Sequence, residues 1–414
     1  MQLTPEQYFI VLLLIVLGEY LLTTLVDLLN LGKEKGNVPD KLKAFLSDEK
    51  YQTAIAYQKE NSYFGLFSGL ISILTLAGAF AFELFGYLDN WLRPMFESPL
   101  WMSLAFFGVI FLINSLIQIP FQLYATFVIE EDYGFNTTSM KTFITDKIKE
   151  FFLTVVVGGL LLGLLFWLIM SLGKDFWWIF WLVAGVFMIG INFFYTSLIV
   201  PLFNKLTPLE DGELKNEIIA FSEKVAFPIN NIYVINGSQR SKKANAYFSG
   251  FGNRKKIVLY DTLVNNYSRE ELVAILAHEI GHYKKRHTFT GILIGLLQLG
   301  VMFFVMSHMI FDPNLSIALG AEVLSFPVNL IAFGIIYSPV SMLLGLFGNY
   351  LSRKHEYEAD HYAASNYKAQ PLKNGLIKLS IDSMSNLRPH SWYIFFHYSH
   401  PPLLKRLEAI ETSE

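Results

Sequence analysis

The sequence predicts a mainly α-helical membrane protein, with seven transmembrane helices and a folded cytoplasmic-side region that carries a small β-sheet. Three observations predict it. The 414 residues are 53% hydrophobic, with mean hydropathy +0.39 and only 16% charged residues, against about 25% for an ordinary soluble domain. Seven segments are long and apolar enough to cross about 30 Å of hydrocarbon. The Lys and Arg residues between those segments are distributed very unevenly.

The segments run roughly 8–30, 63–88, 100–127, 151–172, 176–203, 288–310 and 324–350, and the third to fifth contain no charged side chain. If the connections alternate across a bilayer, the two sides carry 30 and 2 of the 32 Lys and Arg residues. The positive-inside rule assigns the rich side to the cytoplasm, with the N-terminus outside and the C-terminus inside. The chain begins Met1-Gln2-Leu3-Thr4-Pro5-Glu6, without a basic region, and its first apolar run is long. A membrane anchor is therefore expected rather than a cleaved signal peptide. A net charge of −3 suggests neither nucleic acid nor an acidic partner. With no cysteine, disulfides, thiolate zinc sites and thiol catalysis are excluded.

Four stretches follow: 1–203 with the first five spans, 204–287, 288–350 with the last two spans, and 351–414. In 204–287, Leu214, Ile218, Phe221 and Val225 recur at helical spacing. Residues 231–235 and 256–260 read as strands, and 245–251 as a third. Ser268-Arg-Glu-Glu271 is a capping box that starts a helix before Leu272. The region 352–414 reads as helical, continuing from the seventh span.

The helix after the capping box contains His278-Glu279-Ile280-Gly281-His282. Residues four apart share a helix face, so both histidines can reach one metal ion, with Glu279 placed to act on a bound water. A solvated surface helix is the competing reading. Catalytic zinc keeps three protein ligands and an open position. Without cysteine, the third ligand must be a carboxylate or another histidine. Glu356, in Glu356-Tyr-Glu-Ala-Asp360 just after the seventh span, is the best candidate, with Glu358 and His355 as rivals. Asp360, one turn on, could receive the free ring N–H of a zinc histidine.

In His397-Tyr-Ser-His400-Pro401-Pro402, two prolines end any helix. His400 could stabilise an oxyanion, or the segment could be a structural turn. Residues 245–249, including Asn245, Ala246 and Tyr247, could form an edge strand that pairs with an extended peptide, or an ordinary core strand. Glu19 lies mid-span and suggests a polar cavity or a buried hydrogen bond; its role is unassigned.

These motifs together resemble the type I CAAX prenyl proteases, integral-membrane zinc metallopeptidases. His278 to His282, Glu356 to Asp360 and Ser399-His400-Pro-Pro-Leu403 carry the likeness. Stretches 130–136, 201–208, 241–248 and 258–263 add to it. The resemblance implies one Zn2+ per chain held by His278, His282 and Glu356. Glu279 would be the general base, Asp360 would orient a ligand, and His400 would face the scissile carbonyl or its oxyanion. Asn245, Ala246 and Tyr247 would lie on the substrate strand. The seven helices would enclose a large chamber, with the zinc site at its cytoplasmic end. The expected partners are the lipid bilayer and a peptide or protein substrate prenylated at a C-terminal CaaX sequence. The chain is somewhat shorter than typical eukaryotic members and ends Glu411-Thr-Ser-Glu414, without a dilysine signal. A bacterial inner membrane is therefore the expected location, or the endoplasmic reticulum membrane for a eukaryotic member. Two alternatives to CaaX processing are a membrane-protein quality-control protease without prenyl specificity, and a transporter that carries a metal site. The second lacks obvious paired broken segments.

Overall fold

The computed structural model describes residues 3–33, 36–227, 229, 231–250 and 255–412. Six continuous helical stretches are long and apolar enough to cross a membrane. The fourth, 64 residues long, leaves helical geometry at Gly173, whose φ of +59° suits a residue without a Cβ. Its two arms pack on each other, giving the seven crossings expected from the apolar runs. The spans are α1 (Pro5–Lys33), α2 (Asp48–Ala81), α4 (Pro99–Tyr124), α5 (Gly159–Leu172, continuous with Met140–Leu153 through a π-helical turn at Thr154–Gly158), α6 (Phe176–Phe194), α9 (His287–Met309) and α10 (Phe326–Asn366). The second span stops at Ala81, short of the predicted 88. Glu83 takes a left-handed conformation there, and Leu84–Leu92 forms a separate helix, α3.

The spans are tied together at the end remote from the sheet. One buried cluster there joins Leu165, Phe166, Phe176, Phe303 and Phe333. Another joins Leu12, Phe80, Phe106, Leu315 and Val328. Tyr8 donates to Asp312 across this end at 2.8 Å. Toward the sheet the same helices expose Leu21, Leu116, Val186, Leu297 and Phe347. Nothing lies within 4 Å of a Cβ built at Gly65, Gly190, Gly291 or Gly345. Between α9 and α10 a cavity of about 480 Å³, lined by Gly291, Gln298 and Gly348, reaches as far as Phe248 of the sheet.

The sheet lies at the other end of the spans. Its strands are β1 (Leu206–Pro208), β2 (Ile232–Ile235), β3 (Ala246–Ser249) and β4 (Lys256–Tyr260), in the order β1-β2-β4-β3. β2 and β4 are parallel, and the other two pairings are antiparallel. β3 is shorter than the predicted 245–251, whose last residue, Phe251, lies outside the described residues, as do the terminal Ser413 and Glu414. β1 is an addition to the predicted strands. The sheet packs against α7 (Glu213–Lys224) and α8 (Arg269–Lys284) in a core that includes Ile218, Phe227, Leu259, Leu272 and Leu276. Val38, Leu42 and Leu46, from the connection between the first two spans, complete this core. The C-terminal helices α11 (Ala369–Asp382), α12 (Ser391–His397) and α13 (Leu403–Glu411) fold back beneath α8 and α10.

Candidate metal centre

The capping box forms as expected, with Ser268 and Glu271 bonding each other's backbone N–H. It fixes the start of α8, so that His278 and His282 fall on the face toward α10. The two helices approach closely at Gly281. A Cβ there would lie 3.2 Å from both Cα and carbonyl O of Ala359, so glycine is what lets the histidines reach Glu356.

His278, His282 and Glu356 each offer one ligand atom within 4.8 Å of the others, the one such group among the described residues. His278 Nε2 is 3.1 Å from His282 Nε2 and 3.4 Å from Glu356 Oε2, and His282 Nε2 is 3.2 Å from Glu356 Oε1. Donor atoms around a tetrahedral zinc stand about 3.3 Å apart, given ligand distances near 2.05 Å. Glu356 is 3% exposed, and its Oε2 is buried without a hydrogen bond. Two imidazole nitrogens and an incompletely satisfied carboxylate, at this spacing, fit a divalent cation. The rival ligands do not join the group: Glu358 pairs with His287 at 3.0 Å, and the His355 ring stacks on His287.

Asp360 accepts from His278 Nδ1 at 2.9 Å. Burial alone would lower the basicity of His278, but its hydrogen bond to Asp360 and the adjoining Glu356 carboxylate outweigh it and push the imidazole up to about 9. Burial raises the Glu279 carboxyl above the usual carboxylate range, although the neighbouring histidines pull it back. A carboxylate of raised basicity next to a metal position is suited to accept a proton. His400 is 63% exposed on its side chain, with Nε2 3.3 Å from Glu356 Oε1, and its Nδ1 meets Ser399 Oγ at 2.9 Å.

Arg406 escaped sequence reasoning. Its Nε and Nη2 donate to Asp360 at 2.7 and 2.6 Å, and Nη1 lies 3.3 Å from Glu356 Oε2. It therefore compensates the charge of both carboxylates. His287, bonded to His282 at 3.0 Å, was missed as well. Five residues beyond His282 is out of phase on a continuous helix.

β3 is an edge of the sheet. The Asn245 carbonyl accepts from Tyr260 N, so antiparallel alternation turns the backbone of Ala246 and Phe248 outward. The outward N–H of Ala246 is capped by the Asn245 side chain at 2.8 Å. The Tyr247 ring packs on the far face of the sheet beside Val200, Ile235 and Val258, leaving its backbone as its share of the strand. Asn245, Ala246, the two histidines, Glu279, Glu356, His400 and Arg406 line one cavity of about 300 Å³. Glu279 and His282 also border a second, of about 480 Å³, that runs along Gly291, Gln298 and Gly348 of the spans.

Comparison with known proteins agrees with this architecture. Residues 27–205 match the CAAX prenyl protease N-terminal family of five membrane helices, and residues 208–414 match peptidase family M48. The chain is 33% identical to a CAAX prenyl protease 1 homolog of Arabidopsis thaliana, covering 95% of each chain. It is 34% identical to a human homolog, covering 92% of this chain and 90% of that one. It is 32% identical to CAAX prenyl protease 1 of Saccharomyces cerevisiae, covering 90% and 88%. The crystal structure of S. mikatae Ste24p superposes with a TM-score of 0.92 at 29% identity, over 98% of this chain and 99% of that one.

Proposed function

Because the chain belongs to peptidase family M48, as a membrane-embedded CAAX prenyl protease homologue and metallopeptidase, we propose that it is a zinc endopeptidase that removes the C-terminal tripeptide from prenylated CaaX substrates. The reading is carried by the spacing of His278, His282 and Glu356 beneath the free edge of β3. His278, His282 and Glu356 are the zinc ligands and Glu279 is the general base. Zinc, when bound, supplies an acidified water and polarises the scissile carbonyl. Glu279 takes a proton from the attacking water and passes it to the leaving amine, helped by the burial that raises its basicity. Asp360 holds the His278 ring in the tautomer that leaves Nε2 free. Arg406 keeps Asp360 ionised and in place. His400, at the exposed rim, turns an N–H toward the developing oxyanion. The outward backbone of Ala246 and Phe248 pairs with the extended substrate, displacing the Asn245 side chain from Ala246 N.

In this reading the N-terminus lies outside and the site faces the cytoplasm of a bacterial inner membrane. The Lys and Arg distribution supports this orientation. Because the chain lacks cysteine, single cysteines introduced at either end and labelled in vesicles report the orientation directly. Specificity is tested by product mass spectrometry with matched farnesylated and plain CaaX peptides. Release of the tripeptide mainly from the farnesylated peptide supports the reading. Equal cleavage of both favours a general membrane-protein protease.

A further inference from the structure

The second histidine of the motif is held from outside by a chain of its own. His282 Nδ1 lies 3.0 Å from His287 Nδ1, and His287 Nε2 lies 3.0 Å from Glu358 Oε2. His287 is 7% exposed. The His355 ring covers it at 3.9 Å, with the planes 8° apart, so its rotation is restricted. Arg286 makes the contact possible. It ends α8 in a left-handed conformation, φ +60°, and the first residue of α9 folds back onto the preceding helix.

The chemistry permits one arrangement of protons. An imidazole that gives Nε2 to a metal carries its proton on Nδ1. At 3.0 Å that N–H needs an acceptor, so His287 Nδ1 is bare and His287 Nε2 carries the proton. That proton in turn has a carboxylate, Glu358, to receive it. The opposite tautomer of His287 would set N–H against N–H and leave Glu358 facing a lone pair. We propose that His287 and Glu358 are positioning residues that fix the tautomer and ring plane of His282 and so strengthen its hold on the metal. The proposal rests on His278, His282 and Glu356 being the zinc site. The two zinc histidines would then be secured differently: His278 directly by the Asp360–Arg406 ion pair, and His282 through an intervening neutral imidazole.

The test uses the purified full-length chain. His287→Phe keeps a ring to stack on His355 but makes neither hydrogen bond. In His287→Gln the amide carbonyl can accept from His282 and the amide NH2 can donate to Glu358. Zinc dissociation constants are measured by competition with a chromophoric chelator, with the cobalt d–d spectrum and the melting of the metal-stripped protein alongside. The expected result is a dissociation constant raised about 10–100-fold for His287→Phe, one within a few-fold of wild type for His287→Gln, a changed cobalt spectrum for the first only, and unchanged metal-free melting for both. An unchanged constant in His287→Phe overturns the proposal, as does equal weakening of both variants. Failure of the zinc site itself would show first, in wild-type protein that binds no zinc with or without these substitutions.

Discussion

Replacing Arg406 with Met should weaken the protein more than any comparable surface substitution. The guanidinium makes two short bonds to Asp360 and an ion pair to Glu356. The Arg406 side chain is 11% exposed, those of Glu356 and Asp360 4% and 1%. Solvent therefore screens these interactions little. Removing one partner of such a group strands buried charge and costs about 3–5 kcal/mol. Met fills much of the same volume, so cavity formation adds little to the loss. The double variant Asp360→Asn/Arg406→Met removes both halves of the main pair, and its loss should be smaller than the sum of the two single losses. Arg406→Lys keeps the charge without the fork and should fall between wild type and Met. Thermal unfolding of the metal-stripped protein in detergent, followed by intrinsic fluorescence, reads the order of the four variants. Strict additivity of Asp360→Asn and Arg406→Met, or wild-type melting of Arg406→Met, would refute the argument that these charges hold one another.

Other outcomes follow from the same geometry. Glu279→Gln should retain zinc and lose peptide cleavage by at least about 10²–10⁴-fold; near-normal turnover would remove Glu279 as the base. Gly281→Val places methyl groups where Ala359 backbone already lies 3.2 Å from a single Cβ. It should separate α8 from α10 and weaken zinc binding, and unchanged metal content after dialysis would show that the helix spacing does not matter. His278, held near 9 by Asp360 and Glu356, is raised above its unfolded value. Its contribution to metal-free stability is therefore complete below about pH 6.5 and lost as pH rises through 9. Zinc must displace that proton, so apparent affinity should rise about tenfold per pH unit over the same window. Calorimetry in buffers of different protonation enthalpy counts the proton, and a pH-independent affinity would mean that His278 is already neutral.

The spans were legible because each is a long apolar run and the basic residues between them alternate. The exact end of the second was not, since Phe82, Leu84 and Phe85 continue the apolar run while the backbone turns at Glu83. β2 and β4 show compact β-branched runs, whereas Leu206-Thr-Pro208 is too short to carry a pattern and is a strand only because β2 pairs with it. In the site, His278, Glu279 and His282 are one local motif on one capped helix. Glu356 was favoured over Glu358 and His355 by its place just after the seventh span and its four-residue spacing to Asp360, and the family resemblance strengthened that choice. The facing of α8 and α10 now separates them spatially: one carboxylate meets the histidines and the other meets His287. Arg406 stands 46 residues from Asp360, a separation that no helical period can bridge. The edge position of β3 follows from sheet order, which strand propensity does not contain.

The most direct measurement is anomalous diffraction at the zinc absorption edge from crystals of the intact chain. One peak per molecule, within bonding distance of His278 Nε2, His282 Nε2 and a Glu356 oxygen, is the predicted result. A well-ordered site with no peak, or a peak bound by other residues, would contradict the account.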